Sequence, residues 1–153
     1  MAETNSVASR IKQIFPDVFL EYQSFRDQET IIVKRDRIKE LMTFLRDEPG
    51  LEFRYLADLT AVDYLQKRPR FMIVYHLYSH KEKRILRIKV PLEEEDPYID
   101  SVTSIWSTAN WHERECFDLF GIRFVGHPDL RRILLPSDLE GHPLRKDYPV
   151  EGR

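Results

Sequence analysis

Prolines at positions 128, 136, 143 and 149 dictate how the last part of this chain can lie. Each removes a backbone donor and pushes the residue before it out of helical geometry. Residues 122–153 therefore hold neither a helix of any length nor a central strand. Gly126, Gly141 and Gly152 reinforce that reading. The same stretch is too apolar to be left in water: Ile122, Phe124, Leu130, Ile133, Leu134 and Leu144 are spread along it. A segment rich in apolar side chains but denied regular structure must find hydrogen-bond partners for its backbone elsewhere. An extended arm lying along a surface, its own or a partner's, is the expected solution.

Upstream of Gly121 the periodicities are regular. Val7, Ile11, Ile14 and Phe15 recur at helical spacing before Pro16, and short strands are expected at 18–22 and 30–33. Asp36 offers an N-cap to a helix striped by Ile38, Leu41, Met42 and Leu45, which Pro49-Gly50 ends. Leu51, Phe53 and Tyr55 then alternate with Glu52 and Arg54, as in a half-buried strand. RFMIVYHLYS (70–79) is β-branched and aromatic on both phases and predicts a central strand covered on both faces. A charged tip, SHKEK, leads into RILRIKVPL as the next strand. Tight polar turns make this meander antiparallel. After an acidic connection, SVTSIWSTANWHERECFDLFG reads as helix in one or two pieces, with Asn110 and Glu113 spaced as a capping box and Gly121 as its stop. The expected architecture is α+β in two layers: an antiparallel β-meander with helices on one face over residues 1–121, and the extended arm over 122–153 in the same domain.

Bulk composition narrows the function classes. Lysine and arginine (24) nearly balance aspartate and glutamate (26), leaving a net charge of −2. That balance speaks against a nucleic-acid binder or an electrostatic membrane anchor. A single cysteine, Cys116, allows no internal disulfide and fits a reducing compartment. The N-terminus shows no apolar signal region, and no run of about eighteen apolar residues occurs. A soluble protein is expected, reaching a membrane only through a partner.

Three constellations carry chemistry. His112, Glu115 and Cys116 share a helical face and resemble part of a zinc set, although zinc needs further ligands; a buried Cys116 acting as a small hydrophobe is the alternative. His127 and His142 each precede a proline, and Asp129 or Asp138 could orient them as bases of a stand-alone hydrolase. Their arginine neighbours would instead lower an imidazole pKa, and the alternative is that each His-Pro fixes a turn. Arg131, Arg132, Arg145 and Lys146 lie among Asp129, Asp138 and Asp147 without any phosphate-binding glycine motif. Mixed charge of this kind suits ion pairs with another protein. Arg114 and Asp118 are spaced for a helical i,i+4 pair.

The string WHERECFDLFGIRFVGHPDLRRILLPSDLEGHPLRKDYPV (111–150) resembles the signature of the C-type subunit of respiratory complex I, the proton-pumping NADH:quinone oxidoreductase. The resemblance rests on Glu113-Arg114-Glu115, on the Asp118 to Gly121 run, on the first Gly-His-Pro block from Gly126 to Leu134, and on the second from Gly141 to Pro149. It implies a scaffold subunit of the peripheral arm, on the cytoplasmic side of the membrane. Such a subunit holds no catalytic, metal-ligating or cofactor-binding residue of its own; FMN and iron–sulfur clusters sit in partner subunits. The resemblance also implies docking by a C-terminal strap on the D-type subunit of the same complex, which forms the quinone-reduction region with the B-type subunit. On this reading the partner-binding residues are Glu113, Arg114, Asp118, His127, Asp129, Arg131, Arg132, His142, Arg145, Lys146, Asp147 and Tyr148. Many relatives continue past Asp147-Tyr148-Pro149, whereas this chain stops at Arg153, so a weaker grip is expected. The equivalent subunit of a related membrane-bound hydrogenase, or of another quinone- or ferredoxin-linked complex, is the neighbouring alternative, which the two full Gly-His-Pro strings disfavour.

Overall fold

The computed structural model describes residues 7–25, 28–64, 68–128 and 142. Asp129, Arg131, Arg132, Asp138, Arg145, Lys146, Asp147 and Tyr148 lie outside the described residues.

Helix α1 (Val7–Ile14) buries Val7 and Ile11, one turn apart, while Ile14 faces solvent. Phe15 continues the buried stripe and Pro16 ends the helix. Strands β1 (Phe19–Phe25) and β2 (Gln28–Val33) pair antiparallel. Helix α2 (Ile38–Asp47) buries Ile38, Leu41, Met42 and Leu45, the stripe read from the sequence. Its N-cap is not Asp36 but Arg37, in left-handed geometry (φ 63°) and without a side-chain cap. Ion pairs from Arg37 to Asp17 (2.9 Å) and Glu40 (3.0 Å) hold that residue in place.

The alternation at Leu51 and Phe53 is real in burial but does not belong to a strand. Glu52 is left-handed (φ 49°), and the Phe53 amide donates back to the Leu45 carbonyl, so both apolar residues wrap the end of α2. Strand β3 (Tyr55–Asp63) starts later and runs into the meander with β4 (Phe71–Ser79) and β5 (Arg84–Leu92), antiparallel as expected. A bulge at Ala57 resets the phase, so that Leu56 and Leu59 both enter the core. The sheet as a whole is mixed. Its order is β1-β2-β5-β4-β3, and β2 pairs with β5 in parallel, Ile31 opposite Ile88. Tight turns made each hairpin antiparallel, but α2 carries the chain across the sheet, and such a crossover permits a parallel neighbour.

Helices α1, α2 and α3 (Ala109–Phe120) share one core with Phe71, Ile73, Tyr75 and Leu77 of β4 and with Leu86, Ile88 and Val90 of β5. The opposite phase of β4 is covered less than its sequence suggested: Val74 is buried, but Met72, His76 and Tyr78 are only half-buried, and no described helix lies over them. Since burial contributes about 25 cal/mol per Å² of apolar surface, this single packed layer is what fixes the fold.

Trp106 anchors the entry to α3, its indole N–H donating to the Phe53 carbonyl (3.2 Å). A separate turn closes at Val102–Trp106 but does not continue as helix, so of the 101–121 stretch only Ala109–Phe120 is helical. Asn110 is not a cap; the N-cap is Thr108, and Glu113 bonds instead to Ser101 and Val102. Gly121 (φ 80°) ends α3 as expected. The arm then begins as a strand: β7 (Arg123–Val125) pairs in parallel with β6 (Tyr98–Asp100), burying Ile99 and Phe124. Pro128 is the first proline after Gly121, so nothing prevents those three residues from pairing.

Candidate functional site

Glu113, Asp118, His127 and His142, all within the 111–150 motif, converge on the two ends of α3. The left-handed turns at Gly121 and Gly126 (φ 86°) fold the chain back along the helix it has just left. A Cβ at Gly126 would meet nothing within 4 Å, so the glycine serves the backbone angle and not the available space. This fold-back delivers His127 to the first turns of α3. The His127 side chain is wholly shielded, with Nε2 3.2 Å from the Asn110 carbonyl and 4.0 Å from Glu113 Oε1.

Glu113 has no solvent exposure. Its carboxylate accepts hydrogen bonds from the Ser101 hydroxyl (2.7 Å) and the Val102 amide (2.8 Å), tying α3 to the β6 exit. Burial pushes the carboxyl up to about 7, against the opposing pull of those two donors. At the other end of α3, His142 Nδ1 lies 2.9 Å from the Asp118 carbonyl, and its ring packs on Phe117 with centroids 5.9 Å apart. Asp118 is fully buried. Thus Glu113, Asp118, His127 and His142, out of the twelve residues singled out from the sequence, are gathered around one helix. Arg114 is half-buried beside them, and its Nε finds no acceptor among the described residues, so the helical pair with Asp118 does not engage that atom.

The candidate zinc face is arranged differently. Cys116 is buried, its Sγ directed at the Leu59 carbonyl (4.0 Å), and burial drives its thiol well above the ordinary value. His112 Nδ1 faces Asp58 (3.5 Å) and Glu115 (3.7 Å). Among the described residues no group of three histidine, cysteine or acidic side chains is disposed to hold a metal ion. No helix among them is long and apolar enough to cross a membrane.

Two features escaped the sequence reading. Ser101 and the Val102 amide, which hold Glu113, lie in a stretch read only as helix. Arg70, 1% exposed, is clamped by Asp63 through Nε (2.7 Å) and Nη2 (2.9 Å), with Glu94 at 3.1 Å. The only sequence signal for that cluster is an arginine placed directly before an apolar strand.

Comparison with known proteins matches this architecture and its motif. A family model described as the respiratory-chain NADH dehydrogenase 30 Kd subunit matches residues 31–153. The C-type subunit of the NADH-quinone oxidoreductase of Geotalea uraniireducens is 50% identical over 152 residues, covering 99% of this chain and 92% of that protein. That of Geobacter sulfurreducens is 46% identical over 153 residues, covering 99% and 93%. Among solved structures, a trypsin-resistant fragment of Nqo5 superposes with a TM-score of 0.67 at 32% identity, covering 79% of this chain and 99% of that one. A chain of the membrane-bound sulfane sulfur reductase, an archaeal respiratory membrane complex, shares the fold, with a TM-score of 0.78 at 23% identity over 97% of this chain and 86% of the other. The motif around α3, the α+β fold and these matches agree: the chain belongs to the respiratory-chain NADH dehydrogenase 30 Kd subunit family.

Proposed function

We propose that this chain is a non-catalytic scaffold subunit of a proton-translocating NADH:quinone oxidoreductase. It docks on the D-type subunit, near the B-type subunit, through residues of its C-terminal segment, on the cytoplasmic side of the membrane. FMN and iron–sulfur clusters belong to partner subunits. The names of the relatives supply the enzyme class.

The observation that carries the scaffold reading is the orientation of the two Gly-His-Pro histidines. Both are turned onto the backbone of the chain's own α3, His127 at Asn110 and His142 at Asp118. A general base must reach a proton on a substrate, whereas these imidazoles fasten the start and middle of the arm to the core. Once fastened, the arm can present Arg131, Arg132 and Arg145 as guanidinium forks for a partner's carboxylates.

The test is Arg131→Ala with Arg132→Ala in the full chain. The D-type partner should no longer co-purify, NADH:quinone activity of the membranes should fall with it, and melting of the isolated chain should be unchanged. Altered melting with undiminished co-purification would count against docking. Turnover of a hydrolysable substrate by the isolated chain would replace the scaffold reading with a hydrolase.

A further inference from the structure

All three helices pack on one face of the five-stranded sheet, which leaves the other face without a covering layer among the described residues. Its side chains fall into rows fixed by register. Tyr55, Tyr78 and Ile85 form one row; Asp58, His76, Arg87 and Thr30 the next; Thr60, Val74, Lys89 and Ile32 the third. The first row is apolar yet wet, with Tyr55 50% and Ile85 48% exposed. It borders a groove of about 390 Å³ that Ala57, Asp58 and His76 also line. Exposed apolar surface of this kind, rimmed by charge, marks a contact site.

The cations beside the groove, Arg87 and Lys89, form no ion pair among the described residues. Arg87 donates from Nη2 to the neutral amide oxygen of Gln28 (2.7 Å), while its Nε is shielded from water and has no acceptor among the described residues. Lys89 lies one row on. The face carries two carboxylates, neither ion-paired with Arg87 or Lys89 among the described residues, and Asp58 lines the groove itself. Asp58 accepts from the Leu59 amide (2.9 Å) and faces His112, and Glu21 at the sheet edge accepts from Gln23 (2.9 Å). His76 sits between the groove and the cations. Burial first, then Arg87, holds its imidazole below the ordinary value, so it adds no positive charge at neutral pH.

We propose that this face is a second docking surface, separate from the C-terminal segment, and that its occupant is an acidic, apolar-bearing segment of another protein. A shielded guanidinium Nε–H is most favourably met by a carboxylate, which accepts from two adjacent N–H groups at once. Ile85 and Arg87 are two residues apart on one strand, about 7 Å. The matching segment therefore offers a large apolar side chain and a carboxylate at that separation. A second copy of this chain fits poorly, because a two-fold interface would bring Arg87 and Lys89 against their own kind. Nucleic acid would ask for a longer cationic stripe than two residues.

The experiment places a photo-crosslinking p-benzoylphenylalanine at position 85 of the full chain, expressed in cells that assemble the enzyme, and maps the crosslinked peptide by mass spectrometry. The expected product is a single peptide from a different protein of the assembly, with aspartate or glutamate within a few residues of the crosslink. Its yield should drop about tenfold in Arg87→Gln with Lys89→Gln and return in Arg87→Lys with Lys89→Arg, with the melting temperature of all variants matching the parent. No crosslink, a crosslink to this chain or a second copy, an acid-free peptide, or a yield indifferent to neutralisation each overturns the proposal. The inference does not rest on the arm. Running the crosslink in the Arg131→Ala, Arg132→Ala background separates the two, since loss of the D-type partner with the crosslink retained shows the two surfaces failing independently.

Discussion

Glu113 and His127 face each other at 4.0 Å with neither side chain reaching solvent, so α3 and the first Gly-His-Pro turn share one dry polar contact. A carboxyl normally titrating near 4.5 is raised there to about 7, chiefly by burial. Between those values the folded chain holds a proton that the unfolded chain has released. Stability therefore falls as pH rises from 4.5 to 7, by at most about 1.4 kcal/mol per unit. Glu113→Gln keeps an acceptor for Val102 and a donor for Ser101 but carries no charge. It should flatten that slope, and melting curves at about pH 5 and pH 8 check it: the parent should lose several degrees and the variant should not. Equal losses would remove Glu113 as the cause.

His142→Ala removes the bond to the Asp118 carbonyl and the contact with Phe117. We expect a loss of about 1 kcal/mol in urea unfolding. His127→Ala, at a side chain with no exposure, should cost more, roughly 2 kcal/mol, because a void is added to the lost bond.

Arg70 and Asp63 form a buried ion pair, both side chains 1% exposed. Asp63→Leu alone leaves a guanidinium without its principal partner and should destabilise the chain by about 3–5 kcal/mol. Asp63→Leu combined with Arg70→Met should cost clearly less than the single change. A double variant as weak as the sum of the singles would contradict this account.

Cys116 should resist alkylation in the native chain at about pH 8, since burial, then the charges of Glu115 and Glu113, keep its thiol protonated. Because the thiolate is the reacting species, denaturing the chain should raise the rate at least ~100-fold. Mass spectrometry of iodoacetamide-treated samples with and without urea measures the ratio.

The sequence pattern disclosed those parts of the fold whose signal is local. The stripes of α1 and α2, the β3–β4–β5 meander and the Gly121 stop follow from spacing and turn chemistry within each segment. Leu51 and Phe53 alternated like a strand because burial on a helix end has the same two-residue rhythm when the intervening residue is left-handed. The parallel β2–β5 pairing had no local signature, since each strand reads the same whichever neighbour it takes. At the site, the motif named Glu113, Asp118, His127 and His142, but not the direction in which they point. Asn110 and Glu113 matched a capping box, yet Glu113 found stronger donors in Ser101 and Val102, residues that only tertiary folding brings near. The Asp63–Arg70 pair was likewise invisible, because its meaning depends on burial that a charged residue beside a strand does not announce.

The parallel junction between β2 and β5 has a consequence for the chain as it leaves the ribosome. Gln28 and Arg87, joined across that junction, are 59 positions apart. At about 5–20 residues per second, the β1–β2 hairpin emerges roughly 3–12 seconds before the strand that will cover its edge. Throughout that interval Ile31 and Ile32 are apolar and unpaired on one side, an opening for aggregation that closes only when translation reaches β5. Nascent chains stalled before β5 should accordingly retain bound chaperone, and those stalled after its release from the exit tunnel should not.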